Sequence, residues 1–107
     1  MKIQDIPLSK REQAWHDLCR LGTYYHGMAV FFSSVSSDKD KSVLDTPITA
    51  FKKLLRNRHT YRGESRNMAM IHMDMRINEV KTYAKHHPIL LKQWENILSQ
   101  QKKQGHL

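Results

Sequence analysis

The hydrophobic residues between positions 14 and 35 recur at the spacing of an α-helix. Successive members are separated by alternating steps of four and three residues, which places them along one helical face. The series consists of Ala14, Leu18, Leu21, Tyr25, Met28, Phe32 and Val35, and it is widened by Trp15, Tyr24 and Phe31. Because its phase is unbroken, it predicts one long helix or two nearly collinear ones. A strand over residues 28–35 is disfavoured, since no second alternating segment exists to pair with it.

The start of this helix is indicated by Ser9 and Glu12, which have the spacing of a capping box. In that motif, the serine hydroxyl and the glutamate carboxylate each satisfy a free backbone amide of the first turn. Gly22 and Gly27 lie inside the hydrophobic series, and each costs about 1 kcal/mol relative to alanine. If the helix is interrupted, we expect the break at one of these glycines.

The segment 33–45 is rich in Ser, Lys and Asp, shows no sustained period and is therefore predicted to be a solvated loop. Thr46 followed by Pro47 predicts the start of a second, shorter helix, since proline suits the first helical position. Its buried stripe would consist of Ile48, Phe51, Leu54 and Leu55. Gly63 can adopt a left-handed conformation and is expected to end it.

Two further helices are predicted beyond this point. The third spans roughly 65–86, and its buried series steps by three and four through Met70, Met73, Ile77, Val80 and Ala84. His87 and Pro88 end it and open a fourth helix. The inward residues of the fourth would be Leu90, Leu91, Trp94, Ile97 and Leu98. The prediction is an all-α fold, a compact bundle of about four helices, two long and two short, in a single domain over 1–107.

Composition supports a folded chain of one domain. The 107 residues are 39% hydrophobic and 26% charged, which is typical of a folded protein. The longest apolar run, Met28 to Phe32, is far shorter than the ~20 residues of a spanning helix, and no signal peptide is visible. We therefore expect no membrane partner. Because Cys19 is the only cysteine, it cannot form an internal disulfide, and a reducing, cytoplasmic location is expected.

The net charge of +8 lies entirely in the second half of the chain. Residues 1–51 contain six Lys/Arg and six Asp/Glu, whereas residues 52–107 contain twelve and four. Between positions 52 and 66, six cations are accompanied by a single acidic residue, Glu64. The six cations are Lys52, Lys53, Arg56, Arg58, Arg62 and Arg66. One-sided charge of this kind points to a polyanionic partner.

These six residues are the candidates for contact with nucleic-acid phosphates, and Tyr61 could stack on a base or ribose. No recognised DNA- or RNA-binding motif is present, so we expect contact with a DNA or RNA backbone and little sequence readout. The predicted function is that of a small basic accessory protein in a nucleoprotein assembly. Part of the charge has a simpler explanation, because cations in a last helical turn stabilise the helix dipole.

Four methionines fall within eight residues of the third helix, at positions 68, 70, 73 and 75. Two hydrophobic phases overlap there, and a small core accommodates only one of them. The phase formed by Met68, Ile71 and Met75 is the candidate partner interface, because flexible methionines adapt to apolar grooves. The alternative function is therefore a protein-interaction module: an adaptor, inhibitor or oligomerising regulator that docks an acidic partner through its basic face and this helix.

Catalysis is not predicted. The seven histidines include no pair at i and i+4 and no HExxH motif, and a lone cysteine cannot build a cysteine-rich zinc site, so neither a metal nor another cofactor is expected. His16 lies one turn before Cys19, but that cysteine borders the hydrophobic series, where an inert buried thiol is commoner. No glycine-rich phosphate loop or carboxylate pair is present.

Overall fold

Four α-helices joined by short connections account for residues 7–103, the part of the chain that the computed structural model describes. They are α1 (Leu8–Val35), α2 (Asp38–Arg56), α3 (Gly63–His86) and α4 (Pro88–Lys103). The predicted all-α class and four-helix bundle are confirmed. None of these helices combines the length and the apolar character that crossing a bilayer requires.

Helix α1 runs unbroken for 28 residues, as its continuous hydrophobic phase predicts. It begins at Leu8, with Pro7 at the N-cap and no capping hydrogen bond from a side chain. The prediction that Ser9 caps the helix is wrong, because the backbone is already helical at that position. The side chain of Ser9 itself lies outside the described residues.

The buried face of α1 differs from the predicted series. Leu21 and Val35 are each half exposed, at 50% of their accessible surface. The buried residues are Trp15, Cys19, Gly22, Met28, Ala29 and Phe32. The reason is a close approach of α3, since the position of a Cβ atom on Gly22 would lie 2.6 Å from Sδ of Met73. A hydrophobicity pattern does not count glycine, so it missed the centre of this face.

Helix α2 is longer than predicted, because the segment expected to be a loop forms its first turns. Ser37 is the N-cap and its hydroxyl accepts a hydrogen bond from the amide of Asp40 at 3.4 Å. Acidic residues 38 and 40 suit the positive end of the helix dipole. Leu44, only 1% exposed, holds this part of the helix against the core. Burial thus outweighs the weak local pattern.

Pro47 lies inside α2, where it is buried, and not at the first helical position. The prediction that Thr46 and Pro47 start the helix is therefore wrong. The buried series of α2 contains Leu44, Pro47, Phe51 and Leu54. Ile48 and Leu55 are partly buried and pack on the edge of that core. Tertiary packing retains the helix through a residue that ordinarily disrupts one.

The connection between α2 and α3 is a tight turn over residues 57–62. The amide of Thr60 donates to the carbonyl of Asn57 at 2.9 Å, and the amide of Arg62 donates to Oγ of Ser65 at 3.0 Å. Gly63 has a positive φ of 53°, so the predicted left-handed glycine is present. It opens α3, whereas α2 already ends at Arg56.

Helix α3 places its predicted series in the core, where Met70, Met73, Ile77, Val80 and Ala84 are all buried. His87 separates it from α4, as predicted. The predicted inward residues of α4 are partly buried, and none is fully buried. Leu90, Leu91 and Trp94 pack against the core, and the indole of Trp94 donates to the hydroxyl of Tyr24 at 3.2 Å. Helix α4 is thus a half-buried outer helix.

A polar corner closes the bundle where α2 meets the junction of α3 and α4. The ring of His87 stacks on Tyr83 with centroids 3.9 Å apart, and its Nδ1 donates to the carbonyl of Tyr83 at 2.8 Å. Asp40 accepts a hydrogen bond from the Tyr83 hydroxyl at 3.3 Å and lies 3.7 Å from Nε2 of His87. Ser36 shares a hydrogen bond with the same hydroxyl. The corner ties three helices together at the end of the bundle.

The two glycines of α1 offer a matched test of this packing. Gly27→Ala should raise the free energy of unfolding by about 0.5–1 kcal/mol, because its Cβ would lie at an ordinary 3.4 Å from the Trp94 ring and alanine favours a helix. Gly22→Ala should be less stable than Gly27→Ala by about 1–3 kcal/mol, because the new methyl group overpacks Met73. Urea denaturation measures both. Equal stabilisation by the two substitutions would contradict the close approach of α1 and α3.

Candidate nucleic-acid interface

The exposed face of α2 near its C-terminal end carries three cations. Lys52, Lys53 and Arg56 are all exposed, on the side of the helix away from the buried Phe51 and Leu54. Lys52 and Arg56 lie one helical turn apart, about 6 Å along the axis. We refer to these three cations as the helix group. Within residues 7–103 no carboxylate forms an ion pair with any of them, so their charge faces solvent.

The turn after α2 holds its two arginines in defined positions. Arg58 donates from Nη1 to the carbonyl of Leu55 at 2.6 Å. Arg62 donates from Nη1 to the carbonyls of His59 and Tyr61 at 2.7 and 3.0 Å. A guanidinium has five N–H donors, so each of these exposed side chains retains donors for another partner. Their bonds to the turn restrict side-chain freedom and so reduce the entropy that binding must overcome.

The turn is held against α1 by Trp15, which is only 6% exposed. Its indole Nε1 donates to the carbonyl of Arg58 at 3.0 Å, although 43 residues separate the two positions. The ring of Tyr61 contacts the Trp15 ring edge to face, with centroids 5.8 Å apart. Tyr61 is therefore partly buried, and it supports the turn as well as contributing to the surface.

A cavity of about 470 Å³ opens between this turn, α1 and the start of α3. Four arginines line it, and we call it the arginine cavity. They are Arg20, Arg58, Arg62 and Arg66. Among the described residues of its lining, Glu12 contributes the only carboxylate, and Trp15, Cys19, Leu55 and Tyr61 provide apolar surface. The structure therefore divides the six predicted cations into the helix group and three arginines of this cavity.

The sequence pattern missed Arg20, because it comes from the half of the chain whose net charge is zero. The position of Arg20 relative to the buried face of α1 is the feature that could have identified this residue. Arg20 directly follows the buried Cys19 and lies one helical turn beyond His16, so it borders the face on which the turn packs. Locating the site from sequence would have required knowing that the turn returns to α1.

The charges of the cavity are not neutralised within the described part of the chain. No ion pair there involves any of its four arginines. Nε of Arg66 is buried and has no hydrogen-bond partner. Burial raises the pKa of the Cys19 thiol, and the positive charge of Arg58 partly offsets this effect. Cys19 is thus a buried neutral thiol beside a cationic group, and the cavity favours an anion.

Two histidines report on the field of the helix group. Burial, followed by the charge of Lys52, lowers the pKa of His26, whose Nε2 is buried and unpaired. Burial also lowers the pKa of His72, with contributions from Arg76 and, more weakly, Lys53. Glu79 acts in the opposite direction on His72. Since His26 belongs to α1 and His72 to α3, the two lysines act on opposite flanks of α2.

The second hydrophobic phase of α3 lies on the surface. Met68, Ile71 and Met75 are 59%, 46% and 50% exposed, whereas the rival phase through Met70 and Met73 is buried. Val43 of α2, 61% exposed, shares with Met75 the lining of a shallow open groove. We call the four exposed side chains the apolar stripe.

Comparison with protein-family models, curated proteins and solved structures finds no match to this chain. Among residues 7–103, no three His, Cys, Asp or Glu side chains come together as a group able to hold a metal ion.

The two shifted histidines predict a pH dependence of stability. Each has a folded-state pKa below its ordinary value of 6.5, so the unfolded chain binds more protons in mild acid. Their neutral forms are retained at pH 7.5, and stability should fall as the pH drops through 6.5 and below. Replacing His26 with Gln should reduce this fall. Thermal unfolding between pH 7.5 and 5 measures the slope, and an identical slope in H26Q would contradict the assignment.

Proposed function

We propose that this protein binds the phosphate backbone of nucleic acid, as a small accessory component of a nucleoprotein assembly. The observation that carries the proposal is the arginine cavity. Among the described residues of its lining, four arginines accompany a single carboxylate, and the helix group ends at Arg56, two residues before Arg58. Guanidinium forks match phosphate oxygens in two-point contacts, which makes arginine the preferred residue for this ligand.

The geometry of α2 supports contact with a strand at more than one phosphate. One turn of the helix separates Lys52 from Arg56, a distance comparable to the spacing of neighbouring phosphates along one strand, so each of the two cations can meet its own phosphate. Asn57, the neutral donor between the two cation groups, is partly buried. The cations of this surface suit phosphate contact, so affinity should depend on phosphate charge more than on sequence.

Salt dependence tests the proposal. The protein should bind generic single- and double-stranded oligonucleotides, with an affinity that falls steeply as salt is raised. Substituting Lys52, Lys53 and Arg56 by Gln should weaken binding and make the logarithmic salt slope on duplex shallower by about 0.9 for each phosphate that the variant no longer neutralises. Fluorescence anisotropy of a labelled oligonucleotide measures both quantities.

The matched control is Lys92→Gln on α4. This residue is exposed, and the Cα atoms of α4 nowhere come within 8 Å of those of α2. The control should leave the slope unchanged. Circular dichroism checks that each variant retains its helices. An absence of binding even at low salt, or an equal effect of the Lys92 variant, would overturn the proposal.

A second candidate function is supported by the position of the apolar stripe. Its exposed side chains on α3 belong to a helix that packs against α2, whose outer face carries the helix group, so an apolar surface and a basic one lie on neighbouring helices. A partner with an acidic and apolar helix would match both features, and this is the geometry expected of a protein-interaction module. The partner would contact the stripe with its apolar side and the helix group with its carboxylates.

Substitutions in the stripe distinguish this function from phosphate binding. Met68→Glu and Met75→Glu should abolish any partner binding or self-association, while the exposed side chains make these changes tolerable to the fold. Both variants should keep their affinity for oligonucleotides to within a few fold. Sedimentation velocity over a range of concentrations measures association. If the Glu variants and wild type show the same mass and retain the same partners, the stripe is not an interface.

A further inference from the structure

We infer that the arginine cavity binds a terminal phosphate group, the phosphomonoester at the end of a nucleic-acid strand or on a free nucleotide. For the strand end, the inference rests on the proposed function and deepens it. For the free nucleotide, it stands independently. The two sources share one chemistry, a tetrahedral phosphate with a free end attached to a nucleoside.

The shape of the site favours an end over the middle of a strand. The cavity has a volume of about 470 Å³, within the range of small-molecule sites. Its walls come from three directions, with Arg20 on α1, Arg58 in the turn and Arg66 on α3. A continuous strand lies along a surface, as the exposed helix group would allow. A concave site between three elements instead suits a phosphate at the end of a strand, which can enter the cavity without the strand having to leave it again.

The charge of the site favours a monoester over a diester. A phosphate diester in the backbone carries one negative charge, whereas a terminal phosphate carries close to two near neutral pH. Four guanidiniums against the carboxylate of Glu12 leave an excess of positive charge that matches the doubly charged group. The two arginines of the turn already have one nitrogen each engaged with backbone carbonyls, so their remaining donors are pre-oriented.

A buried donor in the lining has no partner within the described residues. Nε of Arg66 is enclosed and makes no hydrogen bond. Because Nε has almost no accessible surface, an anion in the cavity would contact Arg66 through the terminal nitrogens of its guanidinium, and it would pair Nε only if the side chain moved. Beside it, Leu55 and Tyr61 provide partly buried apolar surface for the sugar or base that carries the phosphate. The cavity therefore offers donors for the phosphate and an apolar wall for the nucleoside.

The test compares oligonucleotides of one sequence that carry a 5′-phosphate, a 3′-phosphate or no terminal phosphate. Wild-type protein should bind at least one phosphorylated form about tenfold more tightly than the unphosphorylated form in anisotropy measurements. A nucleoside monophosphate should displace the bound phosphorylated oligonucleotide, whereas the corresponding nucleoside should not. Equal affinity for all three oligonucleotides, together with no displacement by the monophosphate, would overturn the inference.

Variants locate the effect in the cavity. Arg20→Gln and Arg66→Gln should each remove the preference for the phosphorylated end. Arg56→Gln, in the helix group, should weaken binding of all three oligonucleotides equally and preserve the preference. Arg20 is exposed, so the Arg20 variant remains informative if the Arg66 variant fails to fold. A preference that survives both cavity variants would place the terminal phosphate elsewhere and contradict the inference.

A separate arm distinguishes failure of this inference from failure of the proposed function. Trp15 lines the cavity and Trp94 does not, so Trp94→Phe leaves a single tryptophan as the fluorescent reporter at the site. Titration of this variant with inorganic phosphate and with a nucleoside monophosphate should change the Trp15 emission at saturating ligand. If no oligonucleotide binds but the monophosphate does, the proposed function fails and the cavity site stands. If oligonucleotides bind without any end preference and the monophosphate has no effect, the cavity inference fails alone.

Discussion

The hydrogen bond from the Trp15 indole to the carbonyl of Arg58 is the contact on which the basic surface depends. It joins α1 to the turn between α2 and α3 at a distance of 3.0 Å, and the donor belongs to a buried side chain. Without it, the indole N–H would be buried and unpaired, which costs about 1–3 kcal/mol. The turn would also lose the support of the Tyr61 ring, which packs on the same indole. This contact fixes the turn against α1, where Arg58 and Arg62 line the arginine cavity together with Arg20.

The core beneath this contact is organised around α1, which packs against each of the other three helices. Gly22 permits the closest approach, where Met73 occupies the space of a side chain. At the opposite end of the bundle, Asp40 and His87 tie the start of α2 to the junction of α3 and α4. Helix α2 is therefore anchored at both ends, by the polar corner and by the turn. This arrangement leaves its outer face, with Lys52 and Lys53, free to contact a partner.

The sequence predicted the elements with strong periodicity and failed where packing overrides local preference. The series from Met70 to Ala84 and the break at His87 are confirmed, because a long hydrophobic period and a proline leave few alternatives. The first turns of α2 were missed, since their stability comes from the burial of Leu44 and not from a local pattern. Pro47 misled the prediction for the same reason.

For the candidate site, the exposure of the helix group followed from its position relative to Phe51. The arginine cavity could not be predicted in this way, because its prediction requires knowing that the turn folds back onto α1. Arg20 and Glu12, which contribute to its charge, lie more than 35 residues from the turn in the chain. Local spacing carries no information about such a contact. The sequence therefore identified the basic segment, and only the fold identified the concavity beside it.

The most direct test of the account is a titration of isotope-labelled protein with a short oligonucleotide, followed by NMR spectroscopy of the backbone amides and the arginine Nε–H groups. Binding at the proposed surface predicts that the largest shifts occur at Arg20, Arg58, Arg62 and Arg66, together with the end of α2. The pKa of His26, which burial and then the charge of Lys52 hold below its ordinary value, should rise as that charge is neutralised. Shifts confined to the apolar stripe or to α4, with unchanged histidine titration, would contradict the account.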